Sequence, residues 1–220
     1  MPVRRVPKNY RSLTGLVSNS RTQAMTAFES SLERDFLLLL DFDPEVEYYE
    51  EQPVKITYPD ARGRHRTYTP DVLVRYRIGP LQVRPTQTLL CEVKYRDDLR
   101  QHWMDYRPKF RAAQRYARQQ GWRFRVVTER HVRTPYLENV KFLRSYQAIS
   151  INASYRTRIL NALLELEETD PASLLPALSQ DRWQQAQILP MLWQLIASRQ
   201  IGTDLRQPLT MQSRIWLKES

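Results

Sequence analysis

The 220-residue chain has one cysteine and only three histidines, His65, His102 and His131, which lie far apart in the sequence. A single cysteine excludes an internal disulfide bond and a zinc site built from cysteines, and it is typical of a reducing cytoplasm. Histidines so widely spaced argue against a metal site built from imidazoles. These scarcities exclude the disulfide-stapled proteins and the common zinc-binding classes.

Long apolar runs are also missing. The leucine-rich run 36–40 is far shorter than the roughly 18 apolar residues of a membrane span. The first residues have no apolar core of a signal peptide, and no internal repeat or low-complexity tract is present. With 41% hydrophobic and 26% charged residues, the composition is that of a globular protein. The sequence therefore predicts a cytoplasmic protein with no membrane partner.

Positive charge is abundant but unevenly distributed. The net charge is +10, and residues 1–149 carry 27 lysines and arginines against 17 acids, whereas residues 150–220 carry seven of each. A basic surface attracts polyanions, most simply nucleic acid. The distribution predicts a polyanion-binding domain followed by a neutral domain that is better suited to a protein partner.

Residues 1–24 contain five basic residues and no acid, and their prolines, serines and threonines break any periodicity. They predict an extended basic arm, ordered on DNA or a partner or else without a role. We therefore divide the chain into the arm 1–24, a first domain 25–149 and a C-terminal domain 150–220.

Two short apolar runs carry the candidate chemistry. Asp71 follows Pro70 and leads into the run 72–74, and Glu92 and Lys94 lie in the run 89–95. Such runs predict strands, in which residues two apart share a face. Glu92 and Lys94 therefore lie on the same face.

Acidic side chains on strands that are otherwise suited to burial lose their hydration, which is unfavourable unless a cation compensates their charge. Asp71, Glu92 and the backbone carbonyl of Val93 would form an oxygen-lined site for Mg²⁺, with Mn²⁺ as a possible substitute. Lys94 beside such a metal would stabilise a phosphate or position a water, which suits hydrolysis of a phosphodiester. A strand with one solvated face explains Glu92 and Lys94 as well.

The order of predicted elements indicates an α/β domain with a mixed sheet. A helix over 25–42 carries Glu33, a strand over 46–58 and a returning strand 65–77 form a hairpin, and a loop 78–87 precedes the strand with Glu92. An amphipathic helix over 100–120 then leads to a strand over 122–129, which makes a βαβ crossover. The apolar side of this helix carries Tyr106, Phe110, Ala113 and Ala117, and its cationic side carries Lys109, Arg111, Arg115 and Arg118. A helix over 135–146 ends this domain.

The C-terminal domain has a different pattern. Helices are predicted over 153–168, after Pro171 and over 181–198, followed by two short strands near 201–205 and 209–217. Three helices and a terminal hairpin predict a small winged-helix-like domain. Its neutral charge favours a protein partner over DNA.

Taken in order, these segments resemble the restriction-endonuclease-like core with its Pro-Asp…(Asp/Glu)-x-Lys signature, and more closely the TnsA family of transposase endonuclease subunits. The segments that carry the resemblance are Ser31–Phe36, Asp41–Pro44, Glu51–Pro53, Thr69–Asp71, Glu92–Tyr95, Lys109–Phe110, Tyr116–Ala117, Gly121–Trp122 and Leu209–Trp216. The resemblance covers roughly residues 25–217.

The resemblance implies roles for four side chains. Glu33 would be the helical acid near the metals and a further metal ligand, Asp71 the central metal ligand, Glu92 a second ligand and Lys94 the catalytic lysine. Some family members have glutamine at the position of Glu92. The resemblance also implies the restriction-endonuclease-like fold for the first domain.

The activity implied is metal-dependent cutting of the 5′ strands at transposon ends during cut-and-paste transposition in bacteria, on nucleoid DNA. A partner transposase, TnsB, would cut and join the 3′ ends, and the C-terminal domain would contact the ATP-dependent regulator TnsC. The element could be CRISPR-guided. Two alternatives stay open: a stand-alone restriction or repair-type nuclease, and a catalytically silent DNA-binding adaptor.

Overall fold

The computed structural model describes residues 15–18, 25–28, 30–60, 62–77 and 88–218. Contacts divide the chain into two compact units, Met1–Arg133 and Thr134–Ser220. This boundary lies earlier than the predicted one at residue 150, because the helix after Thr134 packs within the second unit. No helix in the described ranges is both long and apolar enough to cross a membrane.

The first unit contains, in chain order, β1 (Gly15–Ser18), β2 (Met25–Phe28), α1 (Ser31–Phe42), β3 (Val46–Glu51), β4 (Ile56–Pro59), β5 (His65–Tyr68), β6 (Val72–Tyr76), β7 (Thr88–Val93), α2 (Arg96–Gln101), α3 (Trp103–Gln119), β8 (Arg123–Val127) and α4 (Glu129–Val132). Its central sheet has the order β3-β6-β7-β8. The β3/β6 and β6/β7 pairs are antiparallel and β7/β8 is parallel, so the predicted mixed sheet and βαβ crossover are confirmed.

The start of the first helix differs from the prediction. The helix begins at Ser31 because the Ser30 hydroxyl accepts the backbone N–H of Glu33, which is an N-cap. Residues 25–28, predicted as helical, form β2 and pair with β1. The predicted basic arm 1–24 otherwise lies outside the described residues.

The predicted strand 46–58 is two strands. Gln52 has a left-handed backbone with φ 46° and precedes Pro53, which has no N–H to donate, so β3 ends at Glu51. The returning segment is also divided, because β5 pairs with β4 in a separate hairpin whereas β6 joins the central sheet. The predicted loop 78–87 lies outside the described residues.

Helix α3 covers one face of the central sheet. Its predicted apolar side is confirmed, since Phe110, Ala113 and Ala117 are buried and pack with Leu73 and Leu90 of the sheet. Strand β7 is buried over its whole length, as expected of a strand with neighbours on both sides. The helix predicted over 100–120 is in fact α2 and α3, which meet at His102.

The second unit contains α5 (Pro135–Arg144), α6 (Ala153–Leu166), β9 (Glu168–Thr169), α7 (Pro171–Leu178), α8 (Arg182–Ala197), β10 (Ile201–Gly202) and β11 (Ile215–Leu217). From α6 onward the order is helix, strand, helix, helix, strand, strand, and β11 lies between β10 and β9. This arrangement is that of a winged helix, as predicted, with an additional strand at β9.

Two side chains of helix α5, Asn139 and Phe142, connect it to the rest of this unit. The buried side chain of Asn139 donates to the carbonyls of Leu205 and Gln207, at 2.8 and 2.7 Å, and accepts from the N–H of Leu209 at 3.0 Å. The ring of Phe142 meets Trp193 of α8 edge-on, with centroids 5.3 Å apart. Asn139 thus satisfies three backbone groups of the segment between β10 and β11.

Asn139→Asp is therefore expected to destabilise the second unit by about 3 kcal/mol, because a carboxylate cannot donate to two buried carbonyls. Urea unfolding and hydrogen exchange at Leu209 measure the loss. Asn152→Asp is the matched control: Asn152 caps α6 by accepting from Ser154, and aspartate caps equally well. Equal midpoints for the two variants would contradict this role of Asn139.

Candidate active site

The pairing of β6 with β7 brings together residues that are 21 positions apart. In the antiparallel register Val72 lies opposite Cys91, so Asp71, just before β6, lies across from Glu92 near the end of β7. The Asp71 carboxylate accepts the backbone N–H of Val93 at 2.6 Å. The start of β6 and the end of β7, the two inner strands of the sheet, thus form one polar site.

The carboxylate of Glu92 is buried, with only 1% of the residue exposed. Its Oε2 accepts a 2.5 Å hydrogen bond from the Tyr68 hydroxyl. Its Oε1 lies 3.4 Å from the ammonium of Lys94 and 3.3 Å from that of Lys109. A buried carboxylate needs such partners, because an uncompensated charge away from water is strongly unfavourable.

The ammonium of Lys94 contacts three candidate metal ligands at once. Nζ lies 3.0 Å from the carbonyl oxygen of Val93, 3.4 Å from Glu92 and 3.5 Å from Asp71. Burial lowers the pKa of Lys94, but the carboxylates of Asp71 and Glu92 outweigh it and raise the pKa above its usual value. A cation therefore already lies among these oxygens, and it is the side chain of Lys94.

The charged form of Asp71, unlike that of Lys94, is disfavoured in the folded protein. Removal from water and the charge of Glu92 raise its pKa well above the usual value, although Lys94 and the N–H of Val93 oppose the shift. Two carboxylates so close together repel each other unless a cation lies between them. The oxygen-only donor set and this need for positive charge fit a hard divalent cation such as Mg²⁺.

Glu33 lies in the first turn of α1, where its carboxylate accepts from the Ser30 hydroxyl at 3.0 Å. Its charge reaches the site, since it contributes to raising the pKa values of both Asp71 and Lys94. No group of three or more His, Cys, Asp or Glu side chains forms a metal-binding cluster within the described ranges. The structure thus brings Asp71, Glu92, Val93 and Lys94 into contact. The negative charge of Glu33 acts on both Asp71 and Lys94.

Two family models match the chain in succession. The model described as TnsA-like endonuclease N terminal matches residues 43–129, and the model described as TnsA endonuclease C terminal matches residues 131–205. The chain belongs to the TnsA endonuclease family. No curated protein matches it. The two matches meet between residues 129 and 131, close to the division between the two compact units.

Two side chains at this TnsA-family site are absent from the predicted catalytic and metal-binding residues. Tyr68 lies at the end of β5, outside the central sheet, and the sequence reading treats it as part of one long returning strand. Lys109 was expected on the cationic side of its helix. It follows Tyr106 by three residues and directly precedes Phe110, so its place at the border of the apolar face was the available signal.

A second set of contacts holds Tyr95, which follows Lys94 after the end of β7. The Tyr95 hydroxyl pairs with the Ser31 hydroxyl at 3.0 Å and accepts from Arg133 at 2.9 Å. Arg133 also lies 3.5 Å from the buried carboxylate of Asp35. Because Tyr95 directly follows Lys94, these contacts fix the backbone from which the lysine extends.

Proposed function

We propose that this TnsA-family chain is the metal-dependent subunit that hydrolyses the 5′ strands at the ends of a transposon. The observation that carries the proposal is the position of the Lys94 ammonium among the oxygens of Asp71, Glu92 and Val93. A group of oxygens that attracts a cation, next to a lysine, is the arrangement that metal-dependent hydrolysis of a phosphodiester needs.

In this proposal Asp71, Glu92 and the carbonyl of Val93 hold Mg²⁺, or Mn²⁺ as a substitute. A metal held there would supply a water nucleophile and neutralise charge that develops on the phosphate. Asp71 and Glu92 are suited to holding the metal because they lie at the ends of two inner strands of the sheet and have little access to water. Their side chains are 21% and 2% exposed.

Lys94 has a different role from the carboxylates. Its ammonium occupies the space between the ligand oxygens, so it must turn away from them before they can hold a metal. Its raised pKa keeps it charged. Lys94 then contacts the scissile phosphate or orients the attacking water, while Tyr95 keeps its backbone in place. Glu33 adds negative potential that favours the metal.

Arginines on the first unit support a DNA substrate. Four of them lie exposed along α3, and three more line a cleft beside the ends of β7 and β8, where the indole of Trp103 is also half-exposed: Arg107, Arg111, Arg115, Arg118, Arg96, Arg100 and Arg130. Arginines neutralise backbone phosphates without reading the base sequence. This surface suits a nuclease whose site selection depends on TnsB.

The second unit supports a protein partner. Residues 150–220 carry equal numbers of acidic and basic residues, and large apolar side chains lie on the surface, including Trp183 at 82% and Leu164 at 66% exposure. Exposed aromatic groups without a charge excess are typical of protein interfaces. We propose that this unit contacts the regulator TnsC.

The test is cleavage of a labelled transposon-end duplex in Mg²⁺, with and without the partner transposase. We expect cutting of the 5′ strand that needs both the partner and Asp71. Cutting without the partner would favour a stand-alone restriction or repair nuclease instead. If no cutting depends on Asp71, the chain is a silent DNA-binding adaptor.

A further inference from the structure

Glu92 has two lysine partners that are held in different ways. Lys94 lies two residues along the same strand, and its ammonium is held by the oxygens that a divalent cation needs. Lys109 reaches Glu92 from helix α3, on the side of the carboxylate that also faces Tyr68. Both ammonium groups approach Oε1 of Glu92, but Lys94 also lies close to Asp71 and the Val93 carbonyl, so Lys94 is the one that a metal would displace.

Aromatic rings enclose the ammonium of Lys109. Its Nζ lies 4.4 Å from the centroid of Tyr106, 4.9 Å from that of Tyr68 and 5.5 Å from that of Phe110. Each distance is within the range of a cation–π interaction. Tyr106 is itself held, since its hydroxyl donates to Asp98 at 2.7 Å. The ammonium of Lys109 is thus held by these rings and by Glu92, whereas the arginines of α3 are exposed and free to follow a DNA backbone.

A buried glutamate side chain can rotate about its terminal bonds, and a metal ligand must not. The Tyr68 hydroxyl holds Oε2 of Glu92, and Lys109 of helix α3 holds Oε1. Outer partners of this kind orient metal ligands and are nearly as important as the ligands themselves.

We propose that Lys109 is a positioning residue for the hydrolysis, which together with Tyr68 holds the carboxylate of Glu92 toward Asp71 while Lys94 moves. This rests on the proposed endonuclease function. Lys109 acts through Glu92 and does not contact the DNA. Its ammonium, 3.3 Å from Oε1, also leaves Glu92 with a partner when the ammonium of Lys94 turns to the phosphate.

The first test is Lys109→Met, which keeps an unbranched side chain among the three rings and removes the charge. We expect the single-turnover cleavage rate with the partner transposase to fall by about 10- to 100-fold. The dissociation constant for DNA and its salt dependence should stay at wild-type values, and Lys109→Arg should recover part of the rate.

Two variants calibrate the DNA measurement. Arg115→Met removes an exposed arginine of the same helix, so it should weaken DNA binding and reduce the salt slope by about one unit. Lys141→Met removes a surface lysine paired with Glu138 in the second unit and should change neither quantity. If Lys109→Met instead behaves like Arg115→Met, Lys109 is a phosphate contact and the proposal is overturned.

A double-mutant cycle with Glu92→Gln decides whether the two residues act as a unit. Lys109→Met should slow cleavage much less in the Glu92→Gln background than in the wild type, whereas independent roles would multiply. The same cycle measured by urea unfolding in EDTA needs no catalysis. If the wild type does not cleave, the proposed function fails. Separately, if the two substitutions change the free energy of unfolding additively in this cycle, the contact between Lys109 and Glu92 is rejected.

Discussion

Asp71→Asn is expected to lower the rate of 5′-strand cleavage by at least about 10³-fold and to leave the fold intact. The amide oxygen of asparagine can still accept the N–H of Val93, so the local backbone keeps its partner. The loss of a ligand charge removes several kcal/mol of transition-state stabilisation, and each 1.4 kcal/mol is about tenfold in rate. Single-turnover cleavage with the partner transposase measures it.

A second measurement on the same variant needs no substrate. Mg²⁺ should raise the melting temperature of the wild type, because a ligand that binds the folded state stabilises it, and this rise should vanish in Asp71→Asn. In EDTA the variant should be at least as stable as the wild type at neutral pH. The pKa of Asp71 is higher in the folded than in the unfolded protein, so an ionised Asp71 lowers the free energy of unfolding. This destabilisation is fully present above the raised pKa of the folded state. It disappears as the pH falls below the pKa of the unfolded state.

An unfolded Asp71→Asn protein in EDTA would contradict the assignment, because it would make Asp71 a structural residue. Cleavage at the wild-type rate would contradict it as well. Asp60→Asn is a useful comparison, since Asp60 lies in the β4–β5 turn, where contacts with Arg64, Arg62 and Arg66 lower its pKa to about 2 although partial desolvation opposes this. Its replacement should leave the Mg²⁺-dependent rise in melting temperature unchanged.

Lys94→Met is expected to abolish detectable cleavage while the chain binds a divalent cation more tightly. In the wild type the ammonium lies within 3.5 Å of the three ligand oxygens and has to leave them. Removing that competing charge should lower the half-saturating concentration of Mn²⁺ by roughly tenfold, since one like charge at contact distance is worth at least that much. The dependence of melting temperature on Mn²⁺ measures the affinity.

The contrast between Lys94→Met and Asp71→Asn is the informative result. Both lose cleavage, but one gains cation affinity and the other loses it. Loss of the Mn²⁺ response in Lys94→Met would show that the lysine supports the cation rather than competing with it. Lys109→Met is expected to gain less, because the ammonium of Lys94 lies near the oxygens of Asp71, Glu92 and Val93, whereas Lys109 contacts Glu92.

Where local patterns sufficed, the sequence predictions hold. Alternation along 89–95 predicts that Glu92 and Lys94 share a face, and their side chains are in contact. The buried residues of α3 follow the predicted spacing, because an amphipathic helix against a sheet is specified by its own periodicity. Predictions were poorer where two local signals disagree: the helical pattern predicted over 25–42 starts before Ser30, yet Ser30 caps a helix that begins after it.

By itself, the sequence determined the two acid-bearing strands, the lysine beside them, the βαβ crossover and the winged helix of the second unit, because periodicity, proline and turn residues act over short distances. Only the tertiary structure decided that Tyr68 and Lys109 converge on Glu92, that Lys94 lies among the ligand oxygens, and that α5 packs in the second unit. These depend on strand register and on helix packing between residues far apart in the chain, which no local pattern specifies.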